Sequence, residues 1–182
     1  MKILIKLTLI LFTLSSCSLL GTKTLYKKTS NSKIQRIGIL NICSEDEVNK
    51  IFPGTNEIYT LDLLEAISKY SQNKTYGVQL NSPCYLDFKT ITKLCKLQKL
   101  DGLIISELKF KNKTKNRSDT EIKMQLYDSV GGLILSISHG TYWGNSYWMT
   151  PKFDKSIHDA TNGAAKRLIK LLQQQNQTSN KI

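Results

Sequence analysis

Apolar residues in the first half of the chain alternate between continuous runs and helical spacing. The runs "IQRIGILNIC", which starts at Ile34, and "TYGVQL", which starts at Thr75, are typical of short buried strands. Each run is followed by a segment whose apolar residues recur every three or four positions, as on one face of a helix. These positions are Leu63, Leu64, Ile67 and Tyr70, with Thr60 as N-cap, and then Phe88, Ile91, Leu94 and Cys95. The pattern predicts two successive β-α units.

The second half of the chain predicts three strands and a last helix. "LDGLIISELKF" is continuous and apolar at its start, as in a central strand, whereas "EIKMQLYD" alternates apolar and polar positions. "LILSISHGTY" is the fifth strand, and "KNKTKNRSD" and "SVGG" supply the turns. Asp154 is the predicted N-cap of a helix that runs to about Gln173. Its predicted inward positions are Ile157, Ala160, Ala164, Leu168 and Leu171.

These elements predict a single α/β domain over residues 34–173. Their order is β-α-β-α-β-β-β-α, so that two crossovers give parallel strands and two hairpins extend a mixed five-stranded sheet antiparallel. Residues 174–182 are expected to form a disordered tail.

The residues before position 18 have the organisation of an export signal. Lys2 and Lys6 precede or interrupt a run of Ile, Leu and Phe that is too short to span a bilayer. The run ends in Leu14-Ser15-Ser16-Cys17, which resembles the lipobox of bacterial lipoproteins. The resemblance implies a signal peptide over residues 1–16, cleavage before Cys17, and lipidation (diacylglycerol and palmitate) of its thiol as the membrane anchor.

The residue after Cys17 indicates which of the two membranes holds the chain. In enterobacterial lipoproteins an aspartate there retains the protein at the inner membrane, so Ser18 implies the outer membrane, with the domain facing the periplasm. Residues 17–33 are polar and predict a linker that reaches at most ~55 Å from the lipid when fully extended.

Three cysteines remain after Cys17. The first two strands of right-handed β-α-β units end at the same edge of the sheet, which makes Cys43 and Cys84 the candidate disulfide; the absence of any disulfide is the alternative. Cys95 lies on the apolar face of a helix and is expected to be a core thiol. The sequence contains no Cys-x-x-Cys pair and no histidine near a cysteine, so it gives no indication of a metal site.

The chain is basic, and some of its cations are regularly spaced. The formal charge is +12 for the whole chain and +10 without the lysines of the signal peptide, which suits anionic headgroups and peptidoglycan carboxylates. Nucleic acid is not an expected partner, because the location and the lack of interleaved aromatics argue against it. Cations occupy every second position of one segment, a candidate anion contact or, alternatively, a solvated hairpin tip. They are Lys109, Lys111, Lys113, Lys115 and Arg117.

Aromatic residues cluster in "GTYWGNSYW". Tyr142, Tyr147 and Trp148 are candidate contacts to a partner. The alternative is a loop pinned to the core by its aromatics, with Trp143 buried.

Catalytic chemistry has no support in the sequence. It has no Gly-rich phosphate loop, nucleophile elbow or paired-carboxylate signal, and we expect neither an enzyme nor a cofactor or metal. His139 shares parity with inward positions and is expected to lie in the core or at a strand end, and His158 to form a solvated polar pair with Asp159.

The segment "LDGLIISELKF…EIKMQLYDSVGGLILSISHGTYW" resembles a group of envelope proteins. The group comprises the curli-secretion lipoproteins, the lipoprotein activators of peptidoglycan synthases, the TolB N-terminal domain and small bacterial lipoproteins. The matching residues are Asp101, Gly102, Asp128, Gly132, Leu133 and Trp143. The hairpin tips are too polar or too short for a transmembrane pore, and the linker is too short to reach the inner membrane.

The resemblance and the lipobox together imply a non-enzymatic envelope lipoprotein. Its membrane-anchored α/β domain would serve protein–protein interaction in cell-envelope assembly, with an envelope protein as partner. A periplasmic glycan- or lipid-binding module is the alternative. The two functions differ in what the exposed residues contact, which is a protein in the first and a glycan or lipid in the second.

Overall fold

Six strands form one mixed sheet in the part of the chain that the computed structural model describes, which is residues 21–28, 34–44, 55–71, 73–78, 86–114, 117–144 and 153–179. The strands are β1 (Gly21–Lys27), β2 (Arg36–Ser44), β3 (Lys74–Gly77), β4 (Gly102–Thr114), β5 (Arg117–Asp128) and β6 (Leu133–Gly144). Three helices accompany them: α1 (Thr55–Tyr70), α2 (Phe88–Gln98) and α3 (Phe153–Ser179).

The strand order in the sheet is β1-β6-β5-β4-β2-β3. β2 pairs in parallel with β3 and β4, and the pairs β4–β5, β5–β6 and β1–β6 are antiparallel. The mixed α/β class, the parallel half and the two hairpins are therefore confirmed. The predicted count of five strands is wrong, since β1 is an additional strand.

β1 lies in the segment that the sequence predicts to be a linker. Most of its residues are exposed and its sequence, GTKTLYK, lacks an apolar alternation. It is held as an edge strand mainly by main-chain pairing with β6, from Gly21 opposite Gly140 to Lys27 opposite Leu135. After it, the Gln175 side chain donates a hydrogen bond of 2.6 Å to the Lys28 carbonyl. The described part of the sheet thus includes residue 21, which is four positions after Cys17 in the sequence.

The larger interior lies between one face of the sheet and helices α1 and α3. Every predicted inward position of α3 is buried there, as are the inward residues of β5, Ile122, Met124 and Leu126. α1 begins at Thr55, before the predicted cap at Thr60, and α3 begins at Phe153, so that Asp154 lies inside the helix. α3 also continues to Ser179, past the predicted end at Gln173, and its Asn176 amide bonds both backbone groups of Ile34.

A smaller interior lies on the opposite face, under α2. Its buried residues are Leu40, Val78, Ile91, Leu94, Cys95, Leu100 and Leu103. Cys95 is a free thiol that is 1% exposed, as predicted for a core cysteine. Phe88, predicted on the same buried face, is instead 60% exposed, because it is the first residue of the helix and lies beyond the edge of this interior.

Candidate functional site

The outward face of α2 carries an unbroken stripe of cations. Lys89, Lys93 and Lys96 recur at helical spacing and are exposed, and Lys99, just after the helix, is exposed as well. Like charges three or four residues apart on a helix repel one another and disfavour the helix slightly. α3 instead pairs Lys155 with Asp159 at 2.9 Å over the same spacing. The lysines on the outward face of α2 therefore repel one another, and contact with anionic groups would reduce this repulsion.

Large apolar side chains flank this stripe. Phe88 is 60% exposed at the start of α2 and Leu97 is 70% exposed near its end. Val130, in the turn between β5 and β6, is 68% exposed. This turn packs on the first turn of α2, because a Cβ at Gly131 would lie 2.8 Å from the Phe88 carbonyl oxygen. We call the surface made by Phe88, Lys89, Lys93, Lys96, Leu97, Lys99 and Val130 the α2 face.

The acidic residues around the α2 face accept hydrogen bonds from main-chain amides. Asp87 caps α2 and accepts from the Thr90 N–H at 2.8 Å, and hydrogen bonding to Thr90 lowers the pKa of this carboxyl. Asp128 accepts from Gly132 N–H at 2.6 Å and Asp101 from Arg36 N–H at 2.8 Å. Among the described residues, none of the lysines of the α2 face forms a salt bridge.

The sequence pattern predicted the buried side of α2 and not this face. A signal was nevertheless present, since the lysines repeat every three or four residues and the helix contains no Asp or Glu. Such a stripe is also common on solvated helices, so only the exposed flanking residues distinguish this face. Phe88 and Val130 are distant in sequence, and their proximity depends on the turn that docks on the helix.

The basic segment predicted as an anion contact lies on the β4–β5 hairpin. Lys109 is opposite Glu121, and its Nζ lies 3.0 Å from Glu107 Oε1, so this cation has an acidic neighbour. Lys111 is opposite Asp119, and the register shifts before Thr114 pairs with Arg117. Lys113 follows in β4, whereas Lys115 lies outside the described residues. The structure therefore places most of the segment in paired strands; its anion contact stays a prediction.

The other predicted site residues are brought together only in part. Tyr142 and Trp143 pair with Asp119 and Ser118 at the end of β6, next to the basic hairpin. Tyr147, Trp148, Cys17 and Cys84 lie outside the described residues, and Cys43 is described only as a position in β2. The lipidation, the disulfide and the aromatic contact stay predictions.

The two histidines have separate local partners. His139 is partly buried, and its Nδ1 lies 2.5 Å from the Thr22 hydroxyl of β1, with the ring packed over Gly163 of α3. Burial lowers the pKa of this histidine. His158 is exposed, and its Nδ1 lies 3.3 Å from Asp62 of α1, so its acidic partner is Asp62 and not the predicted Asp159. His139 itself lies in the middle of β6, not at a strand end.

Within the described ranges, no group of three or more His, Cys, Asp or Glu side chains is arranged to hold a metal ion. In those same ranges no helix has both the length and the apolar character to cross a membrane.

Comparisons with known proteins give structural similarities at low sequence identity. No family model and no curated protein matches the chain. The PelC dodecamer from Paraburkholderia phytofirmans is 11% identical, with a TM-score of 0.45, over 84% of this chain and 96% of that one. Lipoprotein GNA1162 from Neisseria meningitidis is 16% identical, with a TM-score of 0.44, over 80% and 99%.

A third similar structure is the hypothetical protein CT253 from Chlamydia trachomatis. It is 9% identical, with a TM-score of 0.38, over 80% of this chain and 96% of that one. At these identities and TM-scores the similarities do not define a function for the chain.

Proposed function

We propose that the chain is a non-enzymatic lipoprotein of the bacterial cell envelope whose domain binds a protein partner through the α2 face. The lipid on Cys17 anchors the chain in a membrane. Because the next residue is Ser18, we assign this anchor to the outer membrane, with the domain in the periplasm. The observation that carries the proposal is the α2 face itself, a cationic stripe flanked by exposed Phe88 and Leu97.

The chemistry of the α2 face defines the partner. Exposed aromatic and aliphatic side chains supply the apolar contacts that dominate interface energy when buried. The lysine stripe around them favours a partner surface rich in Asp and Glu and disfavours basic ones. We therefore propose an acidic protein segment as the occupant of this face.

The position of the α2 face suits a membrane-anchored protein. Phe88 packs on the turn at Gly131, which follows the end of β5 at Asp128. Gly21 lies in register with Glu121, through Gly140, at the other end of β5. The seven residue steps between Glu121 and Asp128 separate the two ends by ~24 Å. The start of α2 is thus remote from the point where the anchor joins the domain.

The test uses two matched pairs of charge reversals in the lipidated protein, produced in cells at native level. Lys89→Glu/Lys93→Glu alters the α2 face, and Lys166→Glu/Lys170→Glu alters an equally spaced, exposed pair on α3. A photo-crosslinking amino acid at Leu97 reports the contact. We expect a discrete protein adduct that maps to an acidic segment, falls roughly tenfold or more with the α2 reversal, and persists with the α3 reversal.

Two results would contradict the proposed contact. Equal loss of the adduct in both variants would indicate a dependence on net charge alone, and an adduct that maps to a segment without acidic residues would exclude the stated partner chemistry. The anchor is tested separately by fatty-acid labelling, which the Cys17→Ser variant should abolish.

A further inference from the structure

The register of the sheet places the start of the domain and the basic hairpin at the same end. Gly21 pairs with Gly140, Gly140 with Glu121, and Glu121 with Lys109. These four residues form one row across β1, β6, β5 and β4. The chain enters the domain from residue 20 at this row.

The β4–β5 hairpin extends past this row. β4 continues from Lys109 to Thr114, where Thr114 pairs with Arg117, and β6 accompanies it to Gly144. Five residue steps in a strand span ~17 Å. The hairpin therefore projects beyond the start of β1 in the direction from which the anchor segment arrives.

The anchor segment is shorter than this projection. Cys17 precedes Gly21 by four residue steps, which span at most ~14 Å when fully extended. A lipid on Cys17 consequently brings the end of the hairpin to the membrane surface when the strands stand upright on it. An upright domain cannot keep the hairpin clear of the headgroups.

The composition of the hairpin end decides between this orientation and a domain tipped over on its side. The described strand ends, residues 111–114 and 117–119, contain the cations Lys111, Lys113 and Arg117 but a single acid, Asp119. Basic residues next to a lipid anchor are attracted by anionic headgroups, and an anchor combined with a basic patch binds firmly. Contact between this segment and the membrane is thus attractive.

We infer that the end of the β4–β5 hairpin docks on the anionic phosphate headgroups of the membrane that holds the Cys17 lipid. The positions we assign to this contact are Lys111 and Lys113 in β4 and Arg117 in β5. The inference rests on the proposed lipid anchor. Docking sets the domain upright, with the start of α2 directed away from the membrane and open to a periplasmic partner.

The experiment uses the lipidated protein in vesicles of phosphatidylethanolamine with 30% phosphatidylglycerol, or of phosphatidylcholine alone. A photo-crosslinking amino acid replaces either Thr114, the last residue of β4, or Leu97 of the α2 face. We expect lipid adducts from Thr114 in the anionic vesicles, several-fold fewer from Thr114 in the neutral vesicles, and few from Leu97 in either. Lys111→Glu/Lys113→Glu should reduce the Thr114 adducts by about fivefold or more, whereas Lys89→Glu/Lys93→Glu should not.

Equal adduct yields from Thr114 and Leu97, or equal yields in the two kinds of vesicle, would overturn the docking inference.

Flotation of the protein with the vesicles tests the anchor independently of the hairpin. If the protein does not float, the proposed anchor fails, and binding of the unlipidated chain to the anionic vesicles then tests the hairpin alone. Loss of that binding in Lys111→Glu/Lys113→Glu supports the inference, and unchanged or absent binding overturns it. Asn112 is a second crosslinking position should the Thr114 variant not fold, as judged by circular dichroism.

Discussion

The Tyr59 hydroxyl of α1 and the Ser106 hydroxyl of β4 form a hydrogen bond inside the larger interior. Both side chains are 0% exposed, and burial raises the pKa of the Tyr59 phenol. Each hydroxyl therefore depends on the other to compensate for the loss of hydration. The pair joins the helix to the central strand of the sheet.

Removing one hydroxyl of this pair should destabilise the protein. Ser106→Ala leaves the Tyr59 hydroxyl without a partner, and we expect a loss of about 1–3 kcal/mol in the free energy of unfolding, as for a buried unsatisfied group. Tyr59→Phe should have a smaller effect. The double variant should lose less than the sum of the two singles, measured by urea denaturation; strictly additive losses would show that the two hydroxyls do not interact.

Gly38 of β2 faces the buried side chains of Leu100 and Leu103 in the smaller interior. A Cβ there would lie 2.5 Å from Leu100 Cδ1 and 2.9 Å from Leu103 Cδ1. Gly38→Ala should thus overpack the smaller interior and lower the free energy of unfolding by about 1–3 kcal/mol. Gly77→Ala is the control, since its Cβ would meet Leu64 at an ordinary 3.7 Å. A Gly38→Ala variant as stable as the control would refute the expectation.

Stability should depend on pH through His139. Burial lowers the pKa of His139 below its ordinary value of 6.5, and the charge of Asp159 offsets this only in part. The unfolded chain therefore binds the proton more tightly, so that stability is fully present above pH 6.5 and falls as the pH drops from there towards the lowered pKa.

The measurement is the free energy of unfolding between pH 5 and pH 8. His139→Gln should flatten the slope below pH 6.5, whereas His158→Gln, which removes an exposed histidine, should keep the contribution of His139. A slope that survives in His139→Gln would assign the pH dependence to other groups.

Of the three cysteines after Cys17, we expect Cys43 and Cys84 to form a disulfide and Cys95 to stay a free thiol. Burial raises the pKa of the Cys95 thiol to about 11, with smaller contributions from Asp128 and Asp101, and the side chain is 1% exposed. It should not react with Ellman's reagent in the folded protein and should react after unfolding. Intact mass with and without reductant, followed by peptide mapping, tests the predicted Cys43–Cys84 bond. A disulfide that includes Cys95 would contradict both expectations.

Much of the fold was predictable because apolar periodicity records which face of an element is buried. The inward residues of α3 and the alternation of β5 both matched the structure. β1 escaped prediction because an edge strand exposed along most of its length carries no such pattern. The continuation of α3 escaped because amide side chains such as Gln175 and Asn176 extend it through hydrogen bonds to Lys28 and Ile34.

The candidate sites were less predictable than the fold. The cations of the hairpin were visible as a regular spacing, but their place beside the start of β1 depends on register across four strands. The α2 face depends on the contact between Phe88 and the turn at Gly131, which no local pattern encodes. A functional surface assembled from separate elements becomes apparent only in three dimensions.

The antiparallel pairing of β1 with β6 has a mechanical consequence. Main-chain hydrogen bonds of such a pair lie perpendicular to the strands. A force that pulls on the segment before Gly21 along the strand acts in shear, so it loads the paired positions from Gly21 to Lys27 together and does not open them one at a time. This polar strand, in which no residue is fully buried, is therefore well placed to bear a load between the domain and the proposed anchor.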